Sequence, residues 1–381
     1  MLTEYPFWRK LVEKCFAELK KQNNNVYFLN WDDAELNGDI IERLQEIKNK
    51  SKHTQIQIIL YKAEPFCFVP GTNTPLQFHN LLFALKQVVL TNVELVFCRP
   101  KIGSADTLFN QQMIQQVMGN NAYGWSWKNI EIKHFPHEIK QIPTIKQMIK
   151  YKFSYLSHNH KTVRQLFSKF IQTNNIHTEN VVAIHVGRGD DPIPAPYLID
   201  DSEKSLLFSH PLYFHDEWLY NKNLTELFNA VELSEYVHRS VVSRNEINSS
   251  NKHFIQQAGI QIIHETMFHY PICFTSEKLL NGLLLGRPFV LIGPPNTLKH
   301  LREAGFKTFA PEINESYDEM HDPNTRLEAI MQLVTDLNSK TLEEIQDMVN
   351  KLQGNCLHNQ KMLAKMKKDL ENNLKDAIIK I

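Results

Sequence analysis

Short runs of wholly apolar residues alternate along the chain with longer stretches in which apolar positions recur at helical spacing. Phe7 to Lys20 has the helical pattern, and VYFLN (Val26 to Asn30) reads as a strand. IQIILY (Ile56 to Tyr61) and VELVF (Val93 to Phe97) are strands flanking the helical stretch LQFHNLLFALKQV. A helix near Thr107 to Met118 and a short strand, NIEIKHF, complete this first series. Strands that are apolar on both faces and separated by helices predict a parallel sheet covered on each side.

A second series begins with the strand KFSYLS (Lys152 to Ser157), the helix VRQLFSKFI and the strand VVAIHV (Val181 to Val186). Asp190 to Leu198, DDPIPAPYL, is too rich in proline for regular structure. Strands follow at IQIIHE (Ile260 to Glu265), ICFT (Ile272 to Thr275) and PFVLIG (Pro288 to Gly293), then the helix TLKHLREAG, which Gly305 ends. Beyond Phe309, RLEAIMQLVTDL and TLEEIQDMVNKL are helical, and Thr341 and Glu344 have the spacing of a capping box. The expected class is α/β: Rossmann-like domains over 1–150 and 151–310 facing a cleft, with a helical C-terminal extension over 311–381.

Composition narrows the setting without naming a partner. A length of 381 residues suits two hydrophobic cores better than one. Lys plus Arg balances Asp plus Glu at 42 each, so no global field points to a nucleic acid or an acidic membrane. Five cysteines without a C-x-x-C spacing argue against a disulfide framework and a zinc site. The first residues, MLTEYPFWRKLVEKCF, carry charges where a signal peptide has its apolar core, and no apolar run approaches the ~18 residues of a membrane helix. The expectation is a cytoplasmic protein of the producing or host cell, with no integral membrane segment.

In a parallel sheet, residues just after strands face ligands. Ser157, at the end of a strand, precedes a helix whose first turn carries Arg164, a combination of amide donors and a guanidinium that suits an anion. Gly187-Arg188-Gly189 follows VVAIHV, and His264-Glu265-Thr266 ends IQIIHE. Thr275-Ser276-Glu277-Lys278 follows a few residues later, so both acidic elements can face one crevice. A carboxylate there can take both hydroxyls of a ribose, and the neighbouring ammonium can meet a phosphate. No Walker or G-x-G-x-x-G pattern is present, which weakens ATPase and nicotinamide-dehydrogenase readings.

In this order the residues resemble the donor domain of the α1,3-fucosyltransferases, inverting sugar transferases of GT-B architecture. The elements that carry the resemblance are Ser157 with Arg164, Gly187-Arg188, His264-Glu265-Thr266, Phe274 to Lys278, and Pro288 to Gly293. The resemblance implies Arg164 and Lys278 on the pyrophosphate, Glu277 on the ribose and Glu265 near the transferred sugar, with Ser157, Arg188, Thr266 and Ser276 lining the donor. Ser276, Phe274 and Thr266 depart from the family's usual Thr, Tyr and Asn, which leaves the sugar open between fucose and another hexose or pentose. His185 to Asp190, HVGRGD, is also similar to the His-x-Arg-Arg-Gly-Asp element of other fucosyltransferases but lacks its first Arg. GFKTFAPEINESYDE with DPNTR looks like a stretch of uncharacterised phage and giant-virus proteins.

Arg164 and Lys278 can stabilise a departing nucleoside diphosphate without a metal, and no D-x-D follows a strand, so metal independence is expected. No cofactor is expected beyond the nucleotide-sugar donor, with a GDP-linked sugar among the candidates. The catalytic base should be a strand-end carboxylate of the first domain: Glu64 fits best, ahead of Asp32 and Asp33. Trp125 and Trp127 are candidates either for stacking on an acceptor or for packing. Three readings compete: a glycosyltransferase acting on a glycan, a viral enzyme glycosylating a modified base in DNA, and a non-catalytic sugar-binding or assembly protein of the same fold.

Overall fold

The computed structural model describes residues 3–4, 14–21 (except 16 and 19), 25–30, 40–51, 55–61, 81–100, 124–132, 138–139, 142–158 (except 146 and 147), 162–185 (except 179), 255–265, 268, 273 and 275–379. The chain forms two compact units, one of Glu4–Glu138 with Lys365–Ile381 and one of Met1–Thr3 with Ile139–Ala364.

The first unit holds β1 (Val26–Asn30), α1 (Ile40–Ser51), β2 (Ile56–Tyr61), α2 (residues 81–87), β3 (Val93–Pro100) and β4 (Ser126–Ile132). Its strands pair in chain order, β1-β2-β3-β4, and every pairing is parallel. Ile56, Ile58, Ile59 and Leu60 are all buried, as a strand covered on both faces requires. Ile40, Leu44 and Ile47 bury one stripe of α1, and Lys48 Nζ ties that helix to the carbonyl of Val88 at 2.7 Å. Trp125 is buried, and its indole N–H donates to the carbonyl of Leu90 at 2.7 Å, which makes it a packing residue. Trp127 meets the ring of Phe97 edge-on.

The second unit holds β5 (Tyr151–His158), α3 (Thr162–Thr173), β6 (Val181–His185), β7 (Ala258–His264), α4 (Glu277–Leu285), β8 (Phe289–Ile292), α5 (Thr297–Glu303), α6 (Pro323–Asn338) and the part of α7 (Leu342–Ile379) that runs to Ala364. The strand order is β8-β7-β5-β6, again wholly parallel. From β5 the chain passes to β6 on one side and later takes up β7 on the other. The expected pair of Rossmann-like α/β units is therefore present, with helices after the second sheet.

Among the described residues, one expected strand is not found. Cys273 and Thr275, the described residues of ICFT, lie outside any strand. Both sides of β7 are already taken by β5 and β8, and the amide of Leu291 on β8 is bonded by the hydroxyl of Tyr317 at 3.0 Å. Ser276 instead sends its amide to a carboxylate and starts α4 as its N-cap. The polar triplet is thus the head of a helix rather than the tail of a strand.

Glycine sets how closely α4 approaches the sheet. A Cβ added at Gly282 would lie 2.2 Å from Ile263 Cδ1, and the carbonyl of Gly282 accepts a hydrogen bond from Gln261 Nε2 at 3.2 Å. Gly286 ends the helix in the left-handed region with φ 67°. Gly282→Ala should lower stability by about 1–3 kcal/mol through overpacking, although alanine is the better helix former. A urea midpoint at or above the parent's would show that the helix lifts away freely.

The C-terminal helices begin with side-chain caps. Asp322 Oδ1 accepts the amide of Thr325 at 2.8 Å ahead of α6, and the capping box closes between Thr341 and Glu344 ahead of α7. Helix α7 is continuous over 38 residues, roughly 57 Å at ~1.5 Å per residue. Polar residues fix it to the second unit. Asn359 bonds both the amide and the carbonyl of Lys307 at 2.8 Å, and Gln360 donates to the carbonyls of Pro143 and Leu284.

Candidate functional site

At the carboxyl end of the second sheet, β5 ends at Ser157-His158 and β7 at His264, with Glu265 following. Tyr155 pairs in register with Ile262. Side chains alternate along each strand, so two faces can be told apart. On one, Tyr155 lies against α3: its ring meets Phe167 edge-on at 5.2 Å, and its hydroxyl is 3.4 Å from Ser168 Oγ and 3.5 Å from His264 Nδ1. On the other, Gln261, Ile263 and Glu265 lie against α4.

Arg164, in the first turn of α3, is buried at 4% exposure and reaches across the strand ends. Its Nη2 donates to the carbonyl of Glu265 at 3.1 Å and to that of His264 at 3.5 Å. The guanidinium therefore fixes the backbone that carries Glu265. Ser157 is also buried, and burial pushes the hydroxyl of Tyr155 above its usual range.

Glu265 is 1% exposed, and its Oε1 accepts the amide of Ser276 at 3.0 Å. That bond joins the end of β7 to the start of α4. Ser276 Oγ then accepts the amide of Lys278 at 3.2 Å, the ordinary N-cap bond. Lys278 Nζ lies 2.6 Å from Glu277 Oε1 and 3.5 Å from Ser276 Oγ, and both charged side chains are about a third exposed, at 33% and 38%. Burial raises the Glu265 carboxyl above the usual carboxylate range; nearby Lys278 and the bonds from Ser276 offset this in part, and Glu277 adds to it. A buried carboxyl, its ionisation made harder by burial, thus stands beside an accessible ammonium at a helix N-terminus.

The sign of the Glu265 shift makes a stability prediction. The unfolded carboxyl ionises near ~4.3, whereas the folded one keeps its proton to higher pH, so ionisation favours unfolding as pH rises above that value. Glu265→Gln keeps the shape of the neutral acid and should raise the urea midpoint at pH 7.5, with the gain vanishing near pH 4. A loss of stability at pH 7.5 would mean that the carboxylate is ionised and held by Lys278.

The structure brings together Ser157, Arg164, Glu265, Ser276, Glu277 and Lys278 within this one unit. Glu64, Arg188 and Thr266, together with Asp32, Asp33, Phe274, the helix near Thr107 to Met118 and the proline-rich segment, lie outside the described residues. Among the described residues, no group of three or more His, Cys, Asp or Glu could hold a metal ion, and no helix is long and apolar enough to cross a membrane.

The supports behind the site leave little trace in the sequence. Asp318 is buried and takes the amides of Leu298 and Lys299 at 2.9 and 3.0 Å, capping α5, while burial raises its carboxyl. Arg326 is 1% exposed, donates to the carbonyls of Phe268, Met320 and His321, and stacks on the Phe268 ring at 4.3 Å; burial pulls its guanidinium down to about 10. Both lie in the NESYDE and DPNTR stretches, where polar residues before a helix are the only signal. Cys273, beneath the site, has its thiol pushed up to about 12 by burial, which leaves it unreactive at neutral pH.

No family model and no curated protein matches the chain. Among solved structures, the GtfA/B complex is similar over 89% of this chain at 10% identity and a TM-score of 0.37, and the chain spans only 59% of that one. The DNA-modifying enzyme β-glucosyltransferase, solved in the presence and absence of uridine diphosphoglucose, is similar over 93% of this chain and 99% of its own at 9% identity and a TM-score of 0.30.

Proposed function

We propose that the chain is an inverting, metal-independent glycosyltransferase of GT-B architecture that takes a sugar from a nucleoside-diphosphate donor and passes it to a glycan. The observation that carries this reading is the gathering of Arg164, Glu265, Ser276, Glu277 and Lys278 at the carboxyl ends of β5 and β7. These strands flank the point where the sheet's winding reverses, the place where ligands bind in open parallel sheets. A part-exposed carboxylate and ammonium at the head of a helix suit a ribose and a phosphate, and the buried carboxyl beside them suits a hydroxylated ring.

In the reaction, an acceptor hydroxyl oxygen attacks the anomeric carbon opposite the diphosphate. The new carbon–oxygen bond forms as the bond to the diphosphate breaks, and the nucleoside diphosphate leaves with that electron pair. Lys278 and the amides of α4 stabilise the departing charge. The acceptor's proton passes to a base of the first unit, for which we propose Glu64. Arg164 holds the Glu265 backbone in place behind the donor.

A panel of nucleoside diphosphates in a thermal-shift assay tests the donor site. One member should raise the melting temperature, by an amount that grows with its concentration. Stabilisation by none of them sinks the reading. Glu64→Ala should keep that stabilisation and lose transfer, which separates the base from the binding site.

A further inference from the structure

Among the described residues, the second sheet leaves one apolar side chain uncovered in a place where burial is the rule. Leu156 lies on β5, a central strand paired on one side with β7 and on the other with β6. Its neighbours Phe153, Ser154, Tyr155 and Ser157 are all buried, yet Leu156 is 38% exposed. A central strand of a parallel sheet normally has both faces covered.

Alternation fixes which way Leu156 points. Tyr155 faces α3, so Leu156 faces the side of α4. On that side the amino end of the sheet is filled: a Cβ added at Gly259 would lie 2.6 Å from Ile345 Cγ2 of α7. Along β7, helix α4 covers Ile263 through Gly282. The uncovered leucine is thus at the carboxyl end of the sheet, on the face that carries Glu265. By the ~4.8 Å spacing of strands and ~3.3 Å rise per residue, the two residues stand roughly 8 Å apart.

We propose that Leu156 is a specificity-determining residue of the donor site, the apolar floor on which the transferred sugar lies. This rests on the nucleotide-sugar reading above. On that reading Glu277 and Lys278 hold the ribose and phosphate, and Glu265 stands at the sugar. Leu156 lies on the next strand beyond Glu265, away from α4. A floor there meets the sugar and not the nucleotide. A leucine under one face and a buried carboxyl at the edge select a ring that presents carbon-bound hydrogens or a methyl group downward and a hydroxyl sideways.

The test compares bare nucleotides with their sugar conjugates: GDP with GDP-fucose, and UDP with UDP-glucose, by titration calorimetry on the full chain. Leu156→Thr keeps a residue that favours strands and should weaken binding of the productive nucleotide sugar about tenfold, leaving the matching bare nucleotide within about twofold. Leu156→Val, which retains an apolar floor, should lose less. An equal loss for nucleotide and conjugate places the leucine under the nucleotide and overturns the proposal. So does a conjugate affinity indifferent to both substitutions while the bare nucleotide still binds. If the parent chain binds none of the four, the donor-site reading itself has failed.

Discussion

Lys278→Ala should reduce turnover of the productive nucleotide sugar by about 10²–10³-fold, the size of effect seen when a single group aimed at developing charge is removed. Stability should hardly change. The ammonium is a third exposed, and its bond to Glu277 is a surface pair of a kind worth about 0–1 kcal/mol. The N-cap of α4 survives the substitution, because Ser276 Oγ receives the backbone amide of residue 278 and not its side chain. Slow hydrolysis of the sugar nucleotide, followed with and without a chelator, reads the effect directly. Full turnover with a normal melting curve would remove Lys278 from the site and leave Glu277 as a helix-start acid.

Arg326→Ala should have the reverse signature, lowering stability by about 3–5 kcal/mol. The guanidinium is buried against Phe268 and bonds three carbonyls, those of Phe268, Met320 and His321. Each loses a charged donor at once, and the ring of Phe268 loses its cation. Arg326→Lys should restore only part of the loss, since an ammonium lacks the planar fork that reaches several acceptors. Urea melts at constant slope measure both variants. A midpoint within about 0.5 kcal/mol of the parent would mean that water replaces the clamp without cost.

The fold was legible where burial alone decides it. IQIILY, KFSYLS, IQIIHE and PFVLIG lie on strands because short runs dominated by apolar residues fit a sheet covered on both faces. ICFT carries the same signal, yet its described residues Cys273 and Thr275 lie outside any strand, for a short apolar run reads alike whether it pairs or merely packs. What separates the cases is the destination of one amide. Ser276 N–H goes to the side chain of Glu265, a contact across eleven positions that no local pattern announces. The polar content of α7 hid its continuity in the same way. Asn359 and Gln360 look like surface residues in sequence, but they complete backbone bonds of loops far along the chain.

The candidate site was legible to the level of its strand ends, and its internal division of labour was not. Arg164 reads as a phosphate ligand from its position in the first turn of a helix, yet its reach ends on the carbonyls of His264 and Glu265. Leu156 reads as one more core leucine, and only the arrangement of helices over the sheet reveals that it lacks cover. Arg326 and Asp318 were invisible because charged residues are assigned to the surface by default.

Tyr317 has a consequence beyond the single bond it makes. Strand β8 is the outermost of the second sheet, and its Leu291 amide points away from β7, in the direction from which another polypeptide would add. Natural proteins usually blunt such a rim with a lysine, a proline or a bulge. Here Phe289 to Ile292 are all apolar, and protection comes from a phenol presented by the short turn Ser316–Glu319. The same turn presents Asp318 to α5, so the lock on the rim and the anchor of the helix open together. Resistance to strand-paired self-association is in this way tied to the integrity of a four-residue turn.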